Sequence, residues 1–182
     1  MTIEDKATEA GLTVHWRPFL LGPLFKSQGW DTSPFNLYPR KGTYMWRDMH
    51  RLCATVGLEF HKPNTFPQHS LLAARVALTE AVGPHIADFS RRVFKAQFAS
   101  GHDIGDPAVI TRIVSEIGLN ADQIVANARS SAIKDALKVQ TATAEQHGLF
   151  GAPSFLTPDG ELFWGYDRVD QAINWIVHQT SV

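Results

Sequence analysis

Apolar positions along the 182-residue chain follow two periods. Between about residues 44 and 147 they recur three and four apart, the period of helices with one buried face. Met45, Met49, Leu52, Cys53 and Val56 form one such stripe, closed by Gly57. Leu71, Leu72, Val76 and Leu78 form another, stopped by Gly83-Pro84, and Ile86, Phe89, Val93, Phe94 and Phe98 a third, stopped by Gly101. Asp106-Pro107 reads as an N-cap with proline at the first helical position, opening a helix that runs through Ile117. Asn120 and Gln123 form a capping box for a short helix, and a longer one is predicted from about Ser131 to His147. A short charged helix over Ile3 to Ala10 is closed by Gly11. Residues 58–67 read as a proline-containing connection. The stripes are core, not cofactor boxes.

Elsewhere the period is two. Leu12 to Arg17 alternates and reads as a strand ending at Pro18. Ser154 to Thr157 and Glu161 to Trp164 flank Asp159-Gly160, a hairpin turn signal. These patterns predict strands near 13–17, 154–157 and 161–164 in one sheet. Pro153 opens the second of them. A trans bond at a strand end is the plainer geometry. A cis bond, which would turn the preceding backbone toward a ligand, is the one the adjoining hairpin favours, and Ala152-Pro153 is predicted cis. Gly165 lets the chain swing, and Asp167 is placed to cap a final helix. Residues 23–43, rich in Gly, Pro, Ser and Asn, are predicted as a long loop with one short helix at most. Lys26, Trp30, Asn36, Arg40 and Lys41 could line a site for an anionic aromatic ligand there, or be scattered solvated residues.

Composition narrows the function classes. Hydrophobic residues make up 44% of the chain and charged residues 19%, as in a water-soluble globular domain. A net charge of −1 gives no overall footprint for nucleic acid or an anionic membrane, and no apolar run is long enough to span a bilayer. The polar start, Met1 to Lys6, lacks the pattern of a signal peptide. The single cysteine, Cys53, excludes an internal disulfide or Cys-x-x-Cys pair, and its place on an apolar stripe makes it a small buried hydrophobe. A cytoplasmic setting is expected. The eight histidines show no metal-ligand spacing, and neither a phosphate loop nor a serine-hydrolase elbow is present.

Helix, proline, hairpin, helix is the second half of a thioredoxin fold. The expected class is α/β, a thioredoxin-like (DsbA-like) fold with an inserted all-helical domain: residues 1–43 its first part, 44–130 the insertion and 131–182 its second part. The resemblance then becomes specific. Trp16-Arg17-Pro18-Phe19-Leu20-Leu21-Gly22, Phe25-Lys26, Tyr44-x-x-Arg47-Asp48, Phe150-Gly151-Ala152-Pro153 and Phe163-Trp164-Gly165-Tyr166-Asp167-Arg168 resemble the 2-hydroxychromene-2-carboxylate isomerases. Those enzymes group with kappa-class glutathione transferases in the DsbA-like branch. The order and spacing of these motifs carry the likeness from about Gly11 to the C-terminus. The family opens with a strand and a Ser-Pro-Tyr type loop whose serine, with a helix N-terminus, stabilises the glutathione thiolate. Neither has a counterpart among these residues, and Ser27, Ser33 and Ser70 lie in the wrong segments. The fold is therefore expected to be N-terminally truncated, with no catalytic residue assigned.

The resemblance implies glutathione as cofactor, lying along Ala152 and Pro153. The Ala152 backbone would hold its cysteinyl unit, and Trp164, Gly165, Tyr166 and Asp167 its γ-glutamyl end. Lys26 and Asn36 would meet the carboxylate and polar groups of an aromatic substrate. The reaction implied is thiolate addition, ring opening, rotation and elimination in aromatic catabolism, by a homodimer without nucleic-acid or membrane partners. A kappa-like transferase or peroxidase and a non-catalytic glutathione-binding relative are the alternatives. A DsbA-type thiol oxidase fits least, because it needs a cysteine pair.

Overall fold

The computed structural model describes residues 3–179. Its elements are α1 (Ile3–Glu9), α2 (Leu21–Ser27), α3 (Pro34–Leu37), α4 (Pro39–Thr55), α5 (Leu71–Ala77), α6 (Ile86–Phe98), α7 (Pro107–Glu116), α8 (Ala121–Ala128), α9 (Ser131–Gln146), β1 (Ser154–Leu156), β2 (Leu162–Trp164) and α10 (Val169–Gln179), with 3-10 turns at Gly83–His85 and Tyr166–Arg168.

Helices α5 to α8 enclose the main apolar core. Val76, Val82, Phe89, Ile110, Ile113 and Val114 are nearly or wholly excluded from solvent there. The caps are those the sequence implies: the Asp106 side chain accepts from the Ala108 N–H at 2.9 Å, and Asn120 from the Gln123 N–H at 3.2 Å. Ser130 does the same for α9, accepting from the Ile133 N–H. Each removes one of the orphan donors of a helix start. Thr79, 1% exposed, is tolerated in the core because its hydroxyl donates to the Val76 carbonyl at 2.7 Å.

Two expectations need correction. Residues 23–43 are not a long loop, for α2, α3 and the start of α4 occupy most of them. Two of the three prolines there are helix openers: Pro34 follows the Ser33 cap and Pro39 starts α4, where the missing N–H costs nothing, and Pro23 lies in the first turn of α2. The second correction is the strand at 13–17. Its side chains do alternate, with Leu12, Val14 and Trp16 half-buried and Thr13, His15 and Arg17 exposed. Among the described residues no backbone hydrogen bond joins 13–17 to another segment, and the sheet is two-stranded. Alternation reports which side faces the interior. A strand also requires a neighbour to accept and donate.

The hairpin is as expected. β1 and β2 are antiparallel, with Ser154 opposite Trp164, Phe155 opposite Phe163 and Leu156 opposite Leu162. Its turn is closed by Thr157. The Thr157 N–H donates to the Glu161 carbonyl and the Glu161 N–H to the Thr157 hydroxyl oxygen, both at 3.0 Å. The Thr157 hydroxyl also contacts the Asp159 carboxylate, which accepts from Trp175 Nε1 of α10 at 3.0 Å. The Thr157 hydrogen bond, followed by that of Trp175, holds the Asp159 carboxyl below the ordinary carboxylate range. Helix α1 is tied to two other helices, through Glu4 to Arg91 of α6 at 2.6 Å and through Lys6 to Asp170 of α10.

Phe89→Ala should cost about 3–5 kcal/mol in denaturant unfolding, as expected for an aromatic removed from a close-packed core. Asp159→Ala should lower the melting temperature at neutral pH. A depressed folded-state pKa contributes stability that is present above the unfolded value and is lost as pH falls through the folded one. The gap between wild type and Asp159→Ala should therefore narrow as pH is taken from 7 to about 3 in thermal scans.

Candidate functional site

The chain leaves α9 through Gly148 and crosses Leu149 to Pro153 before entering β1. The Ala152-Pro153 peptide is cis, as is Phe66-Pro67. Ala152 and Pro153 are exposed, and Gly151 between them and Phe150 is buried. The Ser154 hydroxyl donates to the Gly151 carbonyl at 2.8 Å and holds the entry to the strand. Across the hairpin, the Gly165 N–H donates to the Pro153 carbonyl at 3.0 Å. This bond sets Ala152-Pro153 beside the chain from Trp164 to Asp167.

Both glycines are structural requirements here. A Cβ on Gly151 would overlap the Trp164 indole nitrogen and lie 3.0 Å from its Cε2. Gly165 has φ 105° and ψ 146°, a region almost confined to glycine, and a Cβ there would come within 2.6 Å of Asp167 Oδ1. Trp164, 49% exposed, meets the Phe150 ring at a centroid distance of 4.9 Å and forms one apolar wall. Tyr166 is 43% exposed.

The unused hydrogen-bonding groups define what this surface can bind. The Ala152 N–H and C=O have no partner among the described residues, nor do the N–H groups of Tyr166 and Asp167. One strand-like donor–acceptor pair thus adjoins two donors at the entry to a helix. That arrangement suits an extended peptide with a carboxylate at one end. Asp167 supplies the opposite charge. It does not cap α10, contrary to the sequence reading: it lies inside the 3-10 turn, whose N-cap is Gly165, and pairs with Arg168 at 3.0 Å. The positive φ of Gly165 moves the cap position two residues upstream.

The remaining sequence candidates lie apart from this hairpin in bonding terms. Lys26 is exposed in the last turn of α2, and no ion pair or side-chain hydrogen bond joins it to residues 150–168 among the described residues. Asn36 lies in α3, and its amide nitrogen donates to Thr32 Oγ1 at 3.1 Å and to the Phe66 carbonyl at 3.4 Å. Its donor is engaged in tying α3 to the 58–67 connection. Ser27 donates to the Leu24 carbonyl, and Ser33 caps α3. Cys53 is half-buried, and burial raises its thiol pKa, so it is poor in thiolate. Among the described residues no three His, Cys, Asp or Glu side chains converge as a metal set. Two shallow depressions, along α10 around Trp175 and between Lys6 and Asp170, open widely to solvent. Sequence reasoning left out Ser154 and Arg168, whose roles depend on which groups the hairpin places next to them.

A hairpin entered through a proline and followed directly by a helix agrees with the second half of a thioredoxin fold. The chain belongs to the family of DSBA-like thioredoxin domains, whose model matches residues 2–176. It is 27% identical over 172 residues to human glutathione S-transferase kappa 1, covering 87% of this chain and 75% of that protein. It is 28% identical over 172 residues to 2-hydroxychromene-2-carboxylate isomerase of Sphingobium xenophagum, covering 92% of this chain and 85% of that one. The solved structure of a 2-hydroxychromene-2-carboxylate isomerase superposes with a TM-score of 0.80 at 20% identity, over 96% of this chain and 86% of that one. The fold is thus DsbA-like, mostly helical with a small sheet.

Gly165→Ala should cost about 1–3 kcal/mol, because its backbone conformation excludes a Cβ. Gly22→Ala, in α2 with nothing within 4 Å, should be neutral or stabilising by up to about 1 kcal/mol. Urea unfolding of the two variants side by side checks the contrast.

Proposed function

We propose that this protein is a glutathione-dependent enzyme, and specifically an isomerase of 2-hydroxychromene-2-carboxylate or a related aromatic-catabolism intermediate. The observation that carries the reading is the free Ala152 backbone pair beside the free Tyr166 and Asp167 N–H groups. The similarities to the kappa transferase and the isomerase support the choice of ligand and reaction.

Glutathione, when bound, would supply a thiolate nucleophile for reversible addition to a conjugated ring system. The chain's own contribution is to bind and orient. Ala152 pairs with the cysteinyl unit as one more strand would. The Tyr166 and Asp167 N–H groups receive the γ-glutamyl carboxylate, and the Asp167 side chain its ammonium. Pro153, Gly165 and the Trp164 ring shape the wall on which the tripeptide lies. Lys26 serves the substrate carboxylate, and Asn36 offers its remaining carbonyl oxygen. No side chain is assigned to thiol activation: the Ser27 hydroxyl donates to the Leu24 carbonyl, and the Ser33 hydroxyl caps α3.

The same reading divides the chain at residues 44 and 130 into a split thioredoxin-like domain and a helical insertion, working as a cytoplasmic homodimer. The kappa transferase likeness, similar in extent, supports a second reading: the same glutathione surface serving conjugation or peroxide reduction.

Titration calorimetry with glutathione tests the common part, and binding is expected. Asp167→Asn should weaken it about threefold to tenfold, a modest factor because the carboxylate is exposed and screened, with the circular dichroism spectrum unchanged. Absence of binding by the wild-type chain would overturn the reading. Turnover of a chromene carboxylate, against conjugation of a halonitroarene, separates the two activities.

A further inference from the structure

Several large side chains that the fold leaves in solvent belong to the hairpin and the chain on either side of it. Phe150, Leu156, Trp164 and Tyr166 are 43–49% exposed. Strand geometry sorts them. Residues directly opposite on paired strands share a sheet face, and successive residues alternate between faces. Trp164 stands opposite Ser154, and Leu162 opposite Leu156, so these four lie on one face and Phe155 and Phe163 on the other. The Phe163 face is supported by α10, its ring 6.2 Å from that of Trp175. On the first face the Trp164 indole turns over the segment that enters the hairpin. A Cβ on Gly151 would lie 2.4 Å from its Nε1, and the indole meets the Phe150 ring at 4.9 Å between centroids, inclined by 58°. Phe150 is outside the main apolar core, and Trp164 is its one ring partner among the described residues.

The surroundings of this pair indicate what it receives. Gly151, against the indole, is followed directly by Ala152, whose N–H and C=O are free among the described residues. A cysteinyl unit paired with Ala152 carries its sulfur on a single methylene, so a group bonded to that sulfur stays close to the entry segment. Gly151 offers that group no side chain, and the next residue upstream is Phe150. The carboxylates of the tripeptide have no charge or donor to meet on a phenyl ring. Two rings inclined at 58° form a corner. A third ring entering it meets one by its face and the other near its edge, the two arrangements that aromatic pairs favour. A flexible alkyl chain fills the same corner without either.

We propose that Phe150 is a specificity-determining residue of this site and that, with Trp164, it holds the aromatic ring of the second substrate beside the glutathione sulfur, favouring flat aryl groups over alkyl ones. The proposal rests on the glutathione reading above and names the side chains that select its co-substrate.

Titration calorimetry on the full chain tests it without turnover. The probes are glutathione and its S-methyl, S-benzyl and S-hexyl derivatives. The wild type should bind S-benzylglutathione at least about tenfold more tightly than S-methylglutathione, because a whole ring leaves water. It should also prefer benzyl to hexyl, although the two groups are of similar size. Phe150→Leu keeps apolar bulk without a ring, and should reduce the benzyl preference over methyl by about threefold to tenfold. Its affinity for glutathione and for S-methylglutathione should be unchanged. Phe150→Tyr keeps the ring and should keep the preference. Melting curves verify that both variants fold. A benzyl preference that Phe150→Leu leaves intact, or that Phe150→Tyr loses as Phe150→Leu does, would overturn the assignment and leave the glutathione site standing. Equal binding of the benzyl and hexyl derivatives by the wild type would overturn it without any variant. Absence of binding by all four probes would overturn the glutathione reading itself and this inference with it.

Discussion

One hydrogen bond places the two halves of the candidate site beside each other, the 3.0 Å contact from the Gly165 N–H to the Pro153 carbonyl. It continues the hairpin register one step beyond the Ser154–Trp164 pair. Pro153 has no N–H to give, so its carbonyl is the whole of its backbone capacity, and spending it on Gly165 leaves Ala152 as the first residue with both groups free. The requirement for glycine at 165 follows. The chain must turn from strand to helix within one residue after donating that bond, and it does so at φ 105°.

The hairpin is too short to be stable alone. Its support comes from its turn and from α10. Thr157 uses its backbone and its hydroxyl within the turn, and Asp159 carries the connection to Trp175. Phe163 adds an apolar contact, its ring 6.2 Å from that of Trp175. The main apolar core lies elsewhere, within residues 73–128. The close-packed part of the molecule is thus separate from the hairpin, where Ala152, Tyr166 and Asp167 keep backbone groups unpaired among the described residues. A binding surface requires that division, because a donor satisfied within the protein has little to offer a ligand.

Charge is also unevenly placed. The whole chain is nearly neutral, yet among the described residues Arg40, Lys41 and Arg47 of α4 and Asp5, Glu9 and Glu161 near α1 and the hairpin turn are exposed and outside the ion pairs. A net value averages over such a distribution. The field that a partner meets is set locally, within about a Debye length of the surface.

Much of the architecture was legible from residue order alone. The helices of the core announced themselves through period and caps, since both depend on neighbours within four residues. Asp106-Pro107 and Asn120 are such local signals. The hairpin was legible for the same reason: its turn chemistry is contained in Thr157 to Glu161. The likeness of the Phe150–Pro153 and Phe163–Arg168 motifs to a known family pointed to where a ligand would lie. Tertiary structure decided the rest. Residues 12–17 have the alternation of a strand, but pairing depends on a partner distant in sequence, and among the described residues there is none. Pro34 and Pro39 look like loop signals until the helices they open are seen packed. Asp167 looks like a cap until the φ of Gly165 shifts the helix entry upstream, and Asn36 looks free until its amide is found on the Phe66 carbonyl. Short-range order in this chain was written in its sequence, whereas the partner of each polar group was a matter of three-dimensional proximity.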